Sequence, residues 1–330
     1  MIYALCPKGQ GAFLYYLQKG RNQMITKPLD VLEQFPIRKS NKQKRAFRNE
    51  VMDYAQKLGY PVELEPGSLG AENIVMGDPE NADYLVTAHY DTPASIGIPN
   101  FVTPCNIWVF LLYQILIVGG LLAISMGVAW LIGTLTGNGR IGLISWYVVY
   151  FGTLILMMVG PANRHNANDN TSGVVSVLEM MGSLPEEQRK KVCFVLFDLE
   201  EAGLIGSAAY RKQHKKASNR QLVINLDCIG DGDELVMFPV GKLKKQQGRM
   251  AALEAICGDY GKKKLCIRKK GFAYCPSDHK QFPNAVGIMA FHRKQHVGLY
   301  CGRIHTYRDT ILEEENVNII RSALMKLICQ

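Results

Sequence analysis

An α/β domain with a mostly parallel central sheet, interrupted by a two-helix transmembrane hairpin, is the fold class this sequence predicts, and three observations predict it. Asp83–Ala88, Val192–Leu199 and Leu222–Leu226 are short and almost continuously apolar, as parallel strands covered on both faces tend to be. Each is followed at once by a side chain that can bind a metal: His89, Glu200 with Glu201, and Asp227. Between Thr92 and Asn163 the only charged residue is Arg140, so about 70 of the 330 residues form an apolar insertion. The remainder suits one α/β domain with a substantial core.

The elements follow in order. Met1–Gln23 has scattered apolar residues but no uninterrupted apolar run after a basic start, and so does not resemble a secretory signal. Asn41–Leu58 reads as an entry helix, and the turn Gly59-Tyr60-Pro61 leads from it into a short strand. Ala71–Gly77 and Asp83–Ala88 read as strands joined by the turn Gly77-Asp78-Pro79-Glu80. Ile107–Leu135 and Ile141–Pro161 are uncharged and each reaches the roughly 20 residues that span a bilayer core. The turn between them is too short to fold separately, and a soluble domain has no room for two helices apolar on every face. Thr171–Leu184, Ala202–Lys215, Met250–Gly258 and Glu313–Ile328 are expected helices, and Val286–Phe291 a further strand.

The loop Asn166–Gly173 is rich in Asn and Asp, which hydrogen-bond the local backbone, and Thr171 or Ser172 is placed to cap the helix that follows. It offers one carboxylate, Asp169. In open α/β sheets ligands bind at the carboxyl ends of the strands. His89 and His305 with Asp169, Glu200, Glu201 and Asp227 at that edge form a nitrogen and oxygen donor set suited to zinc, with manganese or cobalt as substitutes. Adjacent carboxylates after an apolar run are costly to bury unpaired, so a cation partner is expected for Glu200 and Glu201. One would bind metal while its neighbour, pointing the other way in an extended backbone, would move protons. His89-x-Asp91 allows Asp91 to orient the imidazole of His89 from behind.

The ordered segments His89-x-Asp91, Asn168-Asp169-Asn170-x-Ser172-Gly173, Glu200-Glu201-x-Gly203-Leu204-x-Gly206-Ser207, Asp227, Ser277-Asp278-His279 and His305-x-x-x-Asp309-Thr310 resemble the M28 family of dizinc aminopeptidases. The resemblance covers about residues 28–94 and 162–330 and implies a discontinuous three-layer, zinc-peptidase-like catalytic domain (1–94 and 162–330) around the hairpin (101–161). It implies two Zn2+ ions, with Asp169 bridging, Glu201 and His305 completing one site, and His89 and Asp227 the other. It further implies amide hydrolysis with Glu200 as general base and Asp91 supporting it. Tyr274–His279 resembles the segment lining the substrate side; Asp278 and His279 are not expected as ligands, and a surface turn is an equal alternative. The family also includes cyclases of N-terminal glutamine and inactive members, so an acyltransferase or glutaminyl-cyclase-like enzyme and a non-catalytic membrane adaptor remain as alternatives.

The net charge of +9 is spread over clusters such as Lys39–Arg45, Lys242–Lys245 and Lys262–Lys270. None is interleaved with aromatics, so a nucleic-acid partner is not expected. Most read as solvated faces, and a basic surface also suits the anionic cytoplasmic leaflet. Nine cysteines without a Cys-x-x-Cys pair point to a reduced compartment. With Lys/Arg on the flanks of the hairpin and only Arg140 at its turn, the catalytic domain is expected on the cytoplasmic side of the membrane. The expected partners are the bilayer and a peptide or lipidated-peptide or amide substrate, because Asp91 and Asp169 bracket the hairpin and its helices should pass beside the site.

Overall fold

The computed structural model describes residues 25–329 apart from 96, 99 and 270; Met1–Gln23, read above for a signal, lies outside the described residues. Asp30–Gln34 (α1) leads to Asn41–Lys57 (α2), which opens with a reciprocal cap: Ser40 Oγ accepts from Gln43 N–H and the Gln43 side chain accepts from Ser40 N–H. Strands β1 (Val62–Pro66), β2 (Glu72–Met76) and β3 (Tyr84–His89) follow. The insertion forms α3 (Ile107–Thr136) and α4 (Gly139–Val159). Then come α5 (Gly173–Ser183), β4 (Val192–Phe197), α6 (Ile205–Gln213), α7 (Lys215–Arg220), β5 (Leu222–Leu226) and β6 (Glu234–Gly241). The chain closes with α8 (Gln247–Ala255), β7 (Gly258–Tyr260), β8 (Lys263–Ile267), β9 (Asn284–Lys294), β10 (Gly298–Tyr300) and α9 (Glu314–Ile328).

The strands form one sheet in the order β1-β2-β4-β3-β5-β9-β6-β8-β7, with β10 on β9. Its middle, β4-β3-β5-β9, runs parallel, with Ala88 opposite Leu196, Val86 opposite Ile224 and Ile224 opposite Val286. The three apolar runs are therefore the parallel centre the sequence predicts. Alternation along them feeds two cores. Val86, Ala88, Phe194, Leu196 and Ile224 pack with Phe47 and Val51 of α2, Val174 and Leu178 of α5 and Leu324 of α9. Leu85, Cys193, Val195, Phe197 and Val223 face the other way, toward Tyr210 of α6 and Phe282.

Two features go beyond what the local sequence marks. β2 and β3 are consecutive but not paired, because β4 lies between them and pairs antiparallel with β2 and parallel with β3. Gly77, at φ 111°, makes this possible, since a Cβ there would sit 2.9 Å from Val192 O. The basic clusters are not all solvated: Lys44 is buried in an ion pair 2.5 Å from Asp198, and Lys263 is buried against Glu313.

The insertion leaves and re-enters the domain at one point. Ala94 and Ala162 form an antiparallel bridge, and Asn163 N–H donates to Pro93 O (2.8 Å). Asn106 caps α3 by accepting from Val109 N–H, and Gly137 reverses the chain at φ 62°. Near that turn the backbones approach closely, since a Cβ on Gly142 would sit 2.7 Å from Ala129 O. Both helices are long and apolar enough to cross a membrane, and only 6 % of the most apolar stretch of each is buried by the rest of the protein.

Candidate active site

His89 is the last residue of β3, Asp227 follows β5, and Glu200 and Glu201 follow β4, so three adjacent parallel strands deliver donors to one edge. The Asn166–Gly173 loop and His305 close over them. Asp169 stands in the middle: Oδ1 is 3.3 Å from His89 Nε2 and Oδ2 is 3.0 Å from His305 Nε2. Asp227 Oδ1 lies 3.7 Å from His89 Nε2, and Glu201 Oε2 lies 3.6 Å from His305 Nε2. Two donor sets, His89–Asp169–Asp227 and Asp169–Glu201–His305, each have their donor atoms within 4.8 Å of one another and share Asp169.

Glu200 falls with His89 and Glu201 in a third set of the same span. The expectation that Glu200 and Glu201 point apart along an extended backbone is wrong. β4 ends at Phe197, two residues before the expected Leu199, and Leu199 turns at φ 54°. Both glutamates therefore sit in a turn and reach the same cluster. Asp91 organises that turn, accepting from Glu200 N–H (3.1 Å, Oδ1) and Glu201 N–H (3.2 Å, Oδ2) while Oδ1 lies 3.4 Å from His89 Nδ1. Below it, Asp198 is paired with Lys44 and accepts from Leu199 N–H (2.8 Å) and Glu72 N–H (3.2 Å).

Neither Thr171 nor Ser172 caps α5. Asn170 does, its Oδ1 accepting from Gly173 N–H (3.1 Å) and from Cys228 N–H (3.2 Å), because the Ser172 hydroxyl donates to Asn168 O (2.7 Å) instead. Three residues given no role from sequence hold Asp169 in place. The buried Asp309 carboxylate accepts from Asn168 N–H (2.8 Å) and Asp169 N–H (3.0 Å). Asn168 Oδ1 accepts from Gly230 N–H (2.7 Å). Arg38 is fully buried and donates to Tyr90 O, Phe35 O and Thr171 Oγ1, which ties the loop to the strand carrying His89. Asp309 was visible in the His305-x-x-x-Asp309 motif, whereas Arg38 looked like any other cation.

Asp278 and His279 are wholly buried, so the surface-turn alternative is overturned, and they belong to none of the donor sets among the described residues. Tyr274, Cys275 and Pro276 line a cavity of about 300 Å³ that also holds His89, Asp169, Glu200, Glu201, Asp227 and His305. Phe110, Tyr113 and Gln114 of α3 form part of its wall.

Burial raises the Glu200 carboxyl well above its ordinary range, with Glu201, Asp278 and Asp227 adding to the shift against the pull of His89. Burial likewise pushes Glu201 up to about 8, opposed by His305 and reinforced by Asp169. Burial works against a charge on His305, but Glu201 and Asp169 bring it to about 10. Burial also opposes the charge on Asp169, which His305 and His89 nonetheless hold below the ordinary carboxylate range. Five carboxylates, Asp91, Asp169, Glu200, Glu201 and Asp227, thus crowd around two imidazoles, and Glu201 Oε1 and Asp227 Oδ1 are buried without a hydrogen-bond donor. Such an excess of buried negative charge and orphaned oxygens fits cations and little else, and the mixed imidazole and carboxylate donors fit zinc.

Residues 152–326, over half of the chain, match the sequence model of Peptidase family M28; the match takes in Asp169, Glu200, Glu201, Asp227 and His305. No curated protein matches by sequence. The fold is similar to that of Porphyromonas gingivalis glutaminyl cyclase, at 15 % identity and a TM-score of 0.58, over 92 % of this chain and 96 % of that one. It is also similar to the Legionella pneumophila LapA aminopeptidase (13 % identity, TM-score 0.55, 98 % and 73 %) and to Tannerella forsythia glutaminyl cyclase (15 % identity, TM-score 0.56, 93 % and 99 %).

Proposed function

Because this chain belongs to peptidase family M28, we propose that it is a zinc-dependent aminopeptidase or amidase whose hairpin, α3 and α4, sits in the membrane and whose catalytic domain, 1–94 with 162–330, works at the cytoplasmic surface. The observation that carries this reading is the pair of donor sets sharing Asp169 inside one cavity. Asp169 would be shared by two ions, with His89 and Asp227 as the further donors of one site and Glu201 and His305 of the other. Zinc held by these residues would supply a Lewis acid for the scissile carbonyl and would lower the pKa of water. Glu200 would take a proton from the attacking water and return it to the departing nitrogen; the C–N bond breaks, the acyl carbon gains the hydroxyl and the nitrogen leaves as a neutral amine carrying that proton. Its place in the same cavity, within reach of His89 and Glu201 but outside the two donor sets that share Asp169, supports this role. Asp91 positions both glutamates through their backbone N–H groups and orients His89. The same residues serve attack by an internal amine, so products decide between hydrolysis and cyclisation.

The test is metal analysis of detergent-purified protein, followed by release of an aminoacyl reporter with and without chelator. About two zinc ions per chain are expected, with Asp169→Asn weakening both, and chelation should abolish turnover. Protein that holds no metal and shows no chelator-sensitive turnover is a membrane adaptor, and the enzyme reading fails. Mass spectrometry of the products separates the gain of water from loss of ammonia.

A further inference from the structure

The cavity that holds the donor cluster is walled on one side by the insertion. Phe110, Tyr113 and Gln114 stand at i, i+3 and i+4 on α3, one face of the helix, and that face looks into the catalytic cavity. They lie within the first eight residues of α3, about 12 Å of a helix about 45 Å long. The other sides of the same turns are bare: Leu111, Leu112, Ile115 and Leu116 are all exposed. One pair of helical turns thus separates the catalytic cavity from the surface that the bilayer covers in the reading above.

The cavity is small and its hairpin side carries no charge. About 300 Å³ is the lower end of the range for ligand pockets, enough for a scissile amide and its immediate neighbours but not for a long chain. Between Thr92 and Asn163 only Arg140 is charged, and it sits at the far turn, so this wall has no charged group to pair with a peptide terminus. Phe110 packs on Tyr274 (5.1 Å between ring centroids) and Phe101 on Tyr113 (6.3 Å), which gives the α3 side of the cavity an aromatic lining. The linker that carries Phe101 is fixed to the catalytic domain by the Val102–Cys301 bridge and by Tyr274 N–H donating to Pro104 O (2.8 Å). The wall is therefore part of the site and not a tether beside it.

We propose that the substrate is an amide borne on a long acyl or alkyl chain, which enters from the bilayer: the chain lies along the apolar flank of α3 while the amide enters the cavity beside Phe110, Tyr113 and Gln114 to reach the donor cluster. This rests on the amide-hydrolase reading and adds the substrate class and its route. A soluble peptide presents the same amide but lacks the part that lies along α3.

The experiment uses the full chain, zinc-loaded and reconstituted in phosphatidylcholine vesicles containing phosphatidylglycerol. Three substrates share one N-terminal aminoacyl amide and carry no acyl chain, an eight-carbon chain or a sixteen-carbon chain. Catalytic efficiency should rise at least tenfold from the first to the last, with membrane-bound substrate measured separately. After correction for that partitioning, the ratio of acylated to soluble efficiency should fall at least tenfold in Phe110→Ala/Tyr113→Ala. A non-hydrolysable sixteen-carbon analogue with a diazirine at mid-chain gives a readout independent of variant folding, and it should label the α3 segment Ile107–Ile117. Turnover of the soluble peptide with no corrected gain from acylation, or label outside α3, overturns this proposal and leaves the hydrolase reading standing. Zinc-loaded protein that turns over none of the three overturns both.

Discussion

Asp91→Asn isolates what a buried carboxylate behind the donor cluster contributes. Asp91 is 3 % exposed, and its oxygens divide their work: Oδ1 faces Glu200 N–H and His89 Nδ1, Oδ2 takes Glu201 N–H. Asparagine keeps the shape but replaces one oxygen by a donor. Whichever way the amide turns, an N–H group then faces either Glu201 N–H or the pair Glu200 N–H and His89. The loss is at least one charge-assisted hydrogen bond, about 1.5–3 kcal/mol, or roughly 10- to 100-fold in any equilibrium that depends on it. That range agrees with the 10- to 100-fold loss of metal affinity typical when a partner behind a ligand imidazole is removed. Zinc titrated into metal-free wild type and variant against a competing chelator should show this weakening, and turnover at saturating zinc should also drop by about tenfold as Glu200 loses its anchor. Zinc affinity within twofold of wild type together with unchanged turnover would refute the role assigned to Asp91.

Glu200→Gln should retain zinc while lowering turnover by roughly a hundredfold or more; zinc loss matching that of Glu201→Gln would mean the two roles are exchanged. Lys44→Met removes the nearer cation from the buried Asp198 carboxylate, which keeps two backbone donors and Arg48 at 4.0 Å, so unfolding should be easier by roughly 3 kcal/mol, the low end for a broken buried pair. Denaturant titration checks this, and Lys44→Met/Asp198→Leu should recover part of the loss. His214 is held above its ordinary pKa by its hydrogen bond to Glu65, against partial burial and with help from Glu80. A raised pKa in the folded state contributes stability that is full below the unfolded value near 6.5 and fades as pH rises through the folded one. The melting-temperature advantage of wild type over His214→Gln should therefore be larger at about pH 6 than at about pH 9, and an advantage that grows with pH contradicts the assignment.

The sequence by itself determined the parallel centre of the sheet, the edge at which His89, Asp169, Glu200, Glu201, Asp227 and His305 gather, and the two apolar helices. Each is written in a local pattern: an apolar run with a polar end, or a long stretch without charge. Only the tertiary structure decided which oxygen of Asp91 serves which glutamate, that Asn170 and not Thr171 or Ser172 caps α5, and that Arg38, Lys44 and Asp309 are buried supports of the site. The sequence neighbourhoods of Arg38 and Lys44 do not differ from those of solvated residues, and the motif that contains Asp309 does not show its burial, because burial of a charge is set by partners far along the chain, as between Lys44 and Asp198 or Asp309 and Asp169. The turn at Leu199 overrode the alternation expected of Glu200 and Glu201, since a strand's two-residue period ends where its hydrogen-bonded ladder ends. The placing of Phe110 and Tyr113 at the cavity has the same cause: with a single polar residue, Gln114, in its first turns, α3 hardly marks in sequence which face meets a partner, and packing against Tyr274 and Phe101 picks one out.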